Sequence, residues 1–274
     1  MIDAHHHLWR YDPREYAWIG DGMDVLKRDF LVEDLLPRMA ETGVEGLVTV
    51  QASQTVRETE WLLDLAARHD AIRGVVGWVP LVEPDVARTL ERLAANPRLR
   101  GVRHVLQDEP DDDFALREDF NRGIAQLRQH GLVYDILIYE RHLPQAIALV
   151  DRHPDQVFVL DHVAKPRIRD RALSPWRERI RELARRAHVY CKISGMVTEA
   201  DWKAWTEADL APYLDVVLEA FGPTRLMFGS DWPVLLLAGE YKQWVDVVRR
   251  AIAPLSEDER MWIERRTAIQ AYGL

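Results

Sequence analysis

The sequence lacks several features that would place the protein in a specialised class. It has a single cysteine, Cys191, among 274 residues, so no internal disulfide can form. No apolar run approaches the roughly 20 residues that a membrane-spanning helix needs. No basic tract accompanies the formal net charge of -9. The sequence therefore predicts no disulfide scaffold, no membrane partner and no nucleic-acid partner.

The composition is that of a globular protein with a large core, because 47% of the residues are hydrophobic and 30% are charged. Strand-like sequence begins at Ile2, without the charged and apolar regions of a secretory leader. We therefore expect a cytoplasmic protein. The sequence leaves its oligomeric state open.

Eight short apolar segments recur along the chain, separated by stretches with the apolar spacing of helices. Each segment is hydrophobic on both faces, which is typical of parallel strands covered by helices outside and side chains inside. The predicted strands are residues 2–5, 46–51, 74–79, 101–105, 133–138, 157–161, 189–193 and 225–228. This alternation predicts an α/β protein, a single (β/α)8 TIM barrel over residues 1–274, with a doubly wound open sheet as the alternative.

The stretches between the strands contain helix starts and two long connections. Thr55 with Glu58 has the spacing of a capping box, and Ser256 with Glu259 begins a C-terminal helix. The connections that follow the first and sixth strands are long and rich in polar and aromatic residues. Active sites of such barrels lie at the carboxyl ends of the strands, so both connections are predicted to border a ligand. The two long connections also predict that the barrel is somewhat distorted.

Two histidines near the start of the chain and an aspartate near its end are the strongest site candidates. Side chains alternate along a strand, so His5 and His7 face one side while His6 faces the other. In a closed barrel the first and last strands are neighbours, and Asp231, just after the eighth strand, then meets both imidazoles. His162, at the end of the sixth strand, is predicted to join them as a fourth catalytic residue.

Further polar residues lie within or at the ends of predicted strands, where a charge is costly unless it has a partner or a function. Alternation directs only one of Arg103 and His104 inward, and we expect Arg103 to bind a ligand oxygen. Gln51 and Lys192 are also predicted to contact the ligand. Asp135, on the fifth strand, is a candidate of the same kind.

Aromatic residues near these strand ends could offer flat apolar surfaces to a ring. Trp18, in the first long connection, and Trp232, in the segment after the eighth strand, are predicted to bind the ligand. Trp9, Tyr11 and Tyr16 are candidates for the same role. Simple packing over the barrel mouth explains Trp18 and each of these three residues equally well.

Four segments together resemble a known family. They are residues 3–9 (DAHHHLW), 101–105 (GVRHV), 160–166 (LDHVAKP) and 228–233 (FGSDWP). Their order and their positions at strand ends are similar to those of the amidohydrolase superfamily, in its amidohydrolase-2 branch, over essentially the whole chain. Within that branch the sequence is most similar to the sugar-lactone hydrolases that act on L-fuconolactone or L-rhamnonolactone.

The resemblance implies that His5, His7 and Asp231 are metal ligands, with His162 as a candidate fourth ligand and Asp231 as the catalytic base. Members of the superfamily commonly add a histidine or a carboxylated lysine on the fifth strand. Here the fifth strand offers only Asp135. The implied cofactor is therefore one divalent metal, zinc, which is held weakly or is not essential.

The function that the resemblance implies is hydrolysis of a sugar lactone, a small-molecule substrate, to the sugar acid. Asp231 would take the proton of the attacking water, and His162 with Arg103 would orient the ester. A metal-dependent decarboxylase or an amide-bond hydrolase on the same scaffold is the alternative enzyme. A non-catalytic sugar-acid binding protein is a further alternative, but it gives converging histidines and a carboxylate no purpose.

Overall fold

The computed structural model describes residues 1–274 and contains one eight-stranded sheet in the order β1 to β8. The strands are Ile2–His6, Gly46–Val50, Ile72–Gly77, Leu99–Val105, Val133–Leu137, Phe158–Leu160, Val189–Ile193 and Leu226–Phe228. Each strand pairs in parallel with the next one along the chain. The predicted (β/α)8 barrel is therefore confirmed, with small differences at the strand ends.

Helices follow the strands and cover the outside of the barrel. Numbered α1 to α10, they are Val32–Thr42, Val56–Arg68, Val86–Ala94, Glu118–Leu127, Leu143–Arg152, Trp176–Ala184, Glu207–Phe221, Tyr241–Ile252, Glu257–Met261 and Thr267–Tyr272. A π-helical turn, Trp262–Arg266, joins the last two. No helix combines the length and the apolar character that crossing a bilayer would need.

The barrel closes through the residues that follow β8. The backbone N–H of Asp231 donates to the His5 carbonyl oxygen at 2.7 Å, and the N–H of His7 donates to the Trp232 carbonyl oxygen at 2.7 Å. These two bonds form a seam between the start of the chain and a segment near its end. The seam brings the first histidines next to Asp231.

The C-terminal helix closes the opposite end of the barrel. A cluster of buried apolar side chains fills the barrel interior near the beginnings of the strands, and Ala268, Ala271 and Tyr272 of α10 belong to it. The Tyr272 hydroxyl reaches further inside and donates to the Asp135 carboxylate at 2.9 Å. The interior is therefore apolar at its base and becomes polar toward the carboxyl ends of the strands.

A buried carboxyl group ties together two of the loops at the carboxyl ends. Thr55 caps α2 by accepting from the Glu58 N–H at 3.1 Å, as the capping box predicts, but the Glu58 side chain does not return to Thr55. Its Oε2 accepts instead from the N–H groups of Ala52 at 3.0 Å and Ser53 at 2.8 Å. The Tyr16 hydroxyl donates to Oε1 at 3.1 Å. Glu58 thus joins the connection after β1 to the connection after β2.

Glu58 makes the stability of the fold depend on pH. Burial raises the pKa of Glu58 to about 8 from the ordinary value of 4.5. A raised pKa means that the folded state holds the proton more tightly, so this stabilisation is complete below pH 4.5 and is lost as the pH rises to about 8. We expect the free energy of unfolding to fall across this window by up to about 1.4 kcal/mol per pH unit. Urea unfolding at a series of pH values measures the slope.

The matched control is Glu58→Gln, which keeps the shape and the hydrogen-bonding capacity of the neutral carboxyl group but does not titrate. Its unfolding free energy should depend less on pH between 4.5 and about 8 than that of the wild type. If the wild-type slope persists unchanged in the variant, another group titrates in this window and Glu58 does not.

Candidate active site

A cavity of about 630 Å³ opens at the carboxyl ends of the strands. His7, His162 and Asp231 line it together with residues from the loops that follow several strands. This is the end at which (β/α)8 barrels bind their ligands. The cavity is large enough for a small molecule and contains ionisable groups from opposite ends of the chain.

His7 and His162 of the cavity wall and the fully buried His5 beside them are held in the same way. Each places its Nδ1 atom against a protein group, which leaves Nε2 free to face Asp231. The Nδ1 contacts are the Val50 carbonyl oxygen for His7 at 2.9 Å, the Ser194 hydroxyl for His162 at 2.9 Å and Asp161 Oδ1 for His5 at 3.2 Å. His6 points away, and its Nε2 lies 2.9 Å from the Thr49 hydroxyl. The alternation expected for β1 is therefore present.

The Nε2 atoms and the Asp231 carboxylate converge closely. Nε2 of His5 lies 3.2 Å from Nε2 of His7, and Asp231 Oδ1 lies 3.4 Å from His7, 3.8 Å from His5 and 3.8 Å from His162. Ligands held about 2.0–2.2 Å from a tetrahedral zinc ion are about 3.3–3.6 Å apart. The lone pairs of two Nε2 atoms at 3.2 Å also repel each other, and a cation would relieve that repulsion. His5, His162 and Asp231 place their ligand atoms within 4.8 Å of one another, and with His7 beside them they fit a divalent metal ion.

A buried ionic cluster supports His5 from below. The Lys192 ammonium donates to Asp135 and lies 2.9 Å from Asp161, and the Arg103 guanidinium donates to Asp161 at 3.1 Å. Nδ1 of His5 lies 3.2 Å from Asp161 Oδ1, which can only accept, and 3.1 Å from the Lys192 ammonium, which can only donate. We assign the Nδ1 proton to the contact with Asp161, because this tautomer leaves the Nε2 lone pair directed toward the cation site. Burial raises the pKa of Asp161, but Lys192 and His5 outweigh burial and hold that pKa well below its ordinary value.

Burial keeps His5 and His162 neutral, whereas neighbouring groups keep Asp231 ionised. Burial lowers the pKa of His162 to about 4 and holds the pKa of His5 well below its ordinary value. Burial alone would raise the pKa of Asp231, but His162 and His7 outweigh it, and the pKa of Asp231 is lowered. Neutral imidazoles and an ionised carboxylate are the forms that bind a metal ion.

The backbone around two of these residues is unusual. Residues 162–165, none of them glycine, have φ angles of 52°, 47°, 61° and 47°, and Asp231 has a φ of 59°. The left-handed conformation costs about 1–2 kcal/mol for each such residue. It turns the chain sharply after β6, so that both His162 and Lys165 line the cavity. Strain of this kind is concentrated at functional sites.

A glycine makes room for one of these imidazoles. Gly195, at a φ of 60°, lies so close that a Cβ atom there would be 2.4 Å from Nδ1 of His162. A larger residue at this position would displace the ring.

The structure brings three of the residues predicted to bind the ligand to the cavity, namely Arg103, Gln51 and Trp18. Arg103 points into the barrel, as expected, and its Nη2 donates to Gln51 Oε1 at 2.8 Å. His104 points outward and lies 2.6 Å from Glu109. Trp18 donates from Nε1 to the Ala52 carbonyl oxygen at 3.0 Å. The roles of these residues in binding stay predictions.

Two other residues predicted to bind the ligand lie away from the cavity. Lys192 is fully buried beneath His5, where Asp135 and Asp161 surround its ammonium group. Trp232 is also fully buried, and its ring packs edge-on against Phe30 at 5.2 Å. Both side chains belong to the interior, so the structure offers neither of them to a ligand.

Asp135, Trp9 and Tyr16 also lie in the protein interior. Asp135 contacts Lys192 and Tyr272 and does not face the converging Nε2 atoms. Trp9 and Tyr16 are buried over the barrel mouth, and the centroids of their rings are 5.8 Å apart. Of the aromatic residues considered in this connection, Trp18 lines the cavity.

Sequence reasoning missed Asp161, which fixes His5 and pairs with Arg103 and Lys192. A signal for it was available, since Asp161 directly precedes His162 at the carboxyl end of the sixth strand. A carboxylate at that position lies next to the neighbouring strands, where a partner for an inward-facing histidine or arginine is needed.

Comparisons with known proteins match this arrangement. The Amidohydrolase family model matches residues 2–274. A curated L-fucono-1,5-lactonase from Burkholderia multivorans is 45% identical, and the match covers 100% of this chain and 96% of that protein. A second L-fucono-1,5-lactonase, from Burkholderia ambifaria, is 39% identical over 89% of this chain and 85% of its own length. This chain belongs to the amidohydrolase family.

A similar solved structure comes from Burkholderia multivorans, the organism of the first relative. It is the crystal structure of an amidohydrolase from Burkholderia multivorans with bound zinc. Its TM-score is 0.96 at 45% identity, with 100% of this chain and 99% of that chain covered. The resemblance to the amidohydrolases that the sequence motifs indicate is thus confirmed.

The converging Nε2 atoms predict that zinc stabilises the folded protein. Zinc in a hundredfold excess over its dissociation constant should add about 2.7 kcal/mol to the unfolding free energy, because the unfolded chain lacks the site. His7→Ala removes one of the converging imidazoles, a predicted ligand, and should weaken zinc binding by about 100-fold. Calorimetric titration with zinc and thermal unfolding with and without zinc measure both effects.

His6→Ala is the control, because His6 lies on the same strand but faces the other side. It should lower stability through the loss of a buried side chain and still bind zinc with nearly wild-type affinity. Equal loss of zinc binding in the two variants would contradict the assigned ligand set.

Proposed function

We propose that this chain hydrolyses L-fucono-1,5-lactone, or a closely related sugar lactone, to the sugar acid. Both curated relatives described above have that activity in their names, and the higher identity, 45%, extends over the whole chain. The observation that carries the proposal is the convergence of His5, His7 and His162 on Asp231, which lines the cavity. Hydrolysis needs a base for water and an electrophilic environment for the carbonyl group, and this set supplies both.

Asp231 acts as the base in this proposal. Its pKa is lowered, so the carboxylate is ionised at neutral pH and can accept a proton from the attacking water. The water oxygen adds to the lactone carbonyl carbon, and the bond between that carbon and the ring oxygen then breaks. The protonated Asp231 returns its proton to the departing ring oxygen. The products are a carboxylic acid and a free hydroxyl on the same open chain.

Zinc is the metal that we propose for the site, with His5, His7, His162 and Asp231 as its ligands. When bound, it would act as a Lewis acid on the carbonyl group. Asp161 and the Val50 carbonyl group hold the imidazoles of His5 and His7 in the tautomer that presents Nε2. The expectation that the ion is weakly held or dispensable stays a prediction, which an assay with a chelator tests.

Gln51 and Arg103 are the polar groups that we propose for orienting the ester. Nε2 of Gln51 is buried without a hydrogen-bond partner, although Gln51 lines the cavity. The Arg103 guanidinium holds Oε1 of the same side chain, which fixes the amide group. A carbonyl oxygen of the substrate would satisfy the free N–H₂ donor.

The other enzymes considered from the sequence receive less support. A decarboxylase or an amide-bond hydrolase could use the same scaffold, but both curated relatives above 30% identity are named as lactonases. A sugar-acid binding protein without activity would not need a carboxylate whose pKa is held low beside three imidazoles.

Asp231→Asn tests the base directly. The amide has the same shape but cannot accept the proton, so kcat on L-fucono-1,5-lactone should fall by about 10³-fold or more. Acid release, followed with a pH indicator in weak buffer with and without chelator, measures the rate, and thermal unfolding checks that the variant is folded. Near-wild-type turnover by a folded Asp231→Asn protein would eliminate Asp231 as the base. Wild-type turnover no faster than spontaneous hydrolysis would eliminate the lactonase function.

A further inference from the structure

Two charged side chains in the cavity have no part in the hydrolysis described above. Lys165 follows His162 in the left-handed turn after β6, and Glu199 ends the short helical turn Val197–Glu199 after β7. Both line the same cavity as Asp231. Their side chains are largely buried, with 17% and 21% of their surface exposed.

Neither charged group forms a hydrogen bond with the protein. Lys165 Nζ and Glu199 Oε1 are 4.0 Å apart, which is beyond hydrogen-bond distance. The Lys165 ammonium also lies over the Tyr139 ring, 5.4 Å from the ring centroid. Both groups face the open cavity, so their hydrogen-bonding capacity is available to water or to a ligand that enters it.

The geometry of the pair fits one kind of ligand group. A hydroxyl group is both a donor and an acceptor, so a single hydroxyl placed between the two side chains can accept from Lys165 and donate to Glu199. A carboxylate or phosphate ligand would meet Lys165 favourably but would be repelled by Glu199. An ammonium ligand would be attracted by Glu199 but repelled by Lys165. The opposite charges therefore favour a neutral, hydroxylated ligand.

The same loop adds an apolar surface. Trp202 follows Glu199 in the connection after β7, lines the cavity and is 37% exposed. Its ring is held by a hydrogen bond from Nε1 to the Thr198 carbonyl oxygen at 2.8 Å. A flat indole next to a hydroxyl-binding pair matches a sugar ring, which has apolar C–H faces and polar edges.

We propose that Glu199 and Lys165 form a subsite that recognises a ring hydroxyl group of the sugar lactone, with Trp202 as its apolar wall. The inference rests on the proposed lactonase function, because it assigns substrate recognition to a part of the same cavity. It makes the loops after β6 and β7 the source of selectivity for hydroxylated lactones. The base and the metal ligands act on the ester group, which every lactone has.

The test compares two 1,5-lactones, L-fucono-1,5-lactone and δ-valerolactone, which has the same ring without hydroxyl groups. Glu199→Gln should lower kcat/KM for L-fucono-1,5-lactone by about 10- to 100-fold, mainly through KM, because an interaction present throughout binding is lost. Its kcat/KM for δ-valerolactone should stay within about twofold of the wild-type value, because that substrate has no hydroxyl group to lose.

Glu15→Gln is the matched control. Glu15 is another carboxylate on the cavity wall, but its charge is already engaged by Arg57. We expect this variant to hydrolyse both lactones like the wild type. Lys165→Met should reproduce the selective loss of Glu199→Gln, because either partner alone cannot hold the hydroxyl in the same way.

The outcomes separate the subsite from the proposed function. Equal losses on both lactones in Glu199→Gln, or no loss on L-fucono-1,5-lactone, would overturn the subsite. If the wild type hydrolyses neither lactone, the lactonase function fails instead. If δ-valerolactone is turned over too slowly to measure, calorimetric binding of L-fucose, a neutral sugar whose six-membered ring form carries hydroxyl groups and no ester, replaces it. Binding weakened about tenfold in Glu199→Gln and unchanged in Glu15→Gln supports the subsite, and unchanged binding in both overturns it.

Discussion

The site depends on the ammonium group of Lys192, which lies inside the barrel without exposed surface. Removing such a charge from water costs several kcal/mol, and only close carboxylates can offset that cost. Asp135 and Asp161 provide them, and the Tyr272 hydroxyl adds a donor to Asp135. Because Asp161 also contacts Nδ1 of His5, the imidazole ring beside Asp231 is connected, through one ionic cluster, to the last helix of the chain.

Much of the fold and of the central site could be predicted because both follow from geometric rules that the sequence displays directly. Apolar segments at regular spacing indicate the eight strands, and alternation along the first of them separates His5 and His7 from His6. Barrel closure then makes the two ends of the chain neighbours, which brings Asp231 to the imidazoles. None of these steps requires knowledge of a particular loop or rotamer.

The features that were not predicted depend on how deep a side chain lies inside the barrel and on the conformation of the loops. Alternation indicates that Lys192 faces inward, but not whether it lies deep enough to meet a carboxylate instead of a ligand. The left-handed turn at residues 162–165 contains no glycine, so the usual sign of a positive φ is missing. Trp232 lies beyond the last strand, where alternation no longer indicates the direction of a side chain. Glu58 has the spacing of a helix cap and instead holds two loops.

The seam between β1 and the segment after β8 has a consequence for the way the protein is made. During synthesis, His5 and His7 emerge before the other strands, and Asp231 emerges only after them. The backbone bonds that close the barrel belong to the same residues as the converging side chains. A nascent chain that lacks the segment after β8 therefore lacks both the carboxylate and the bonds that close the barrel.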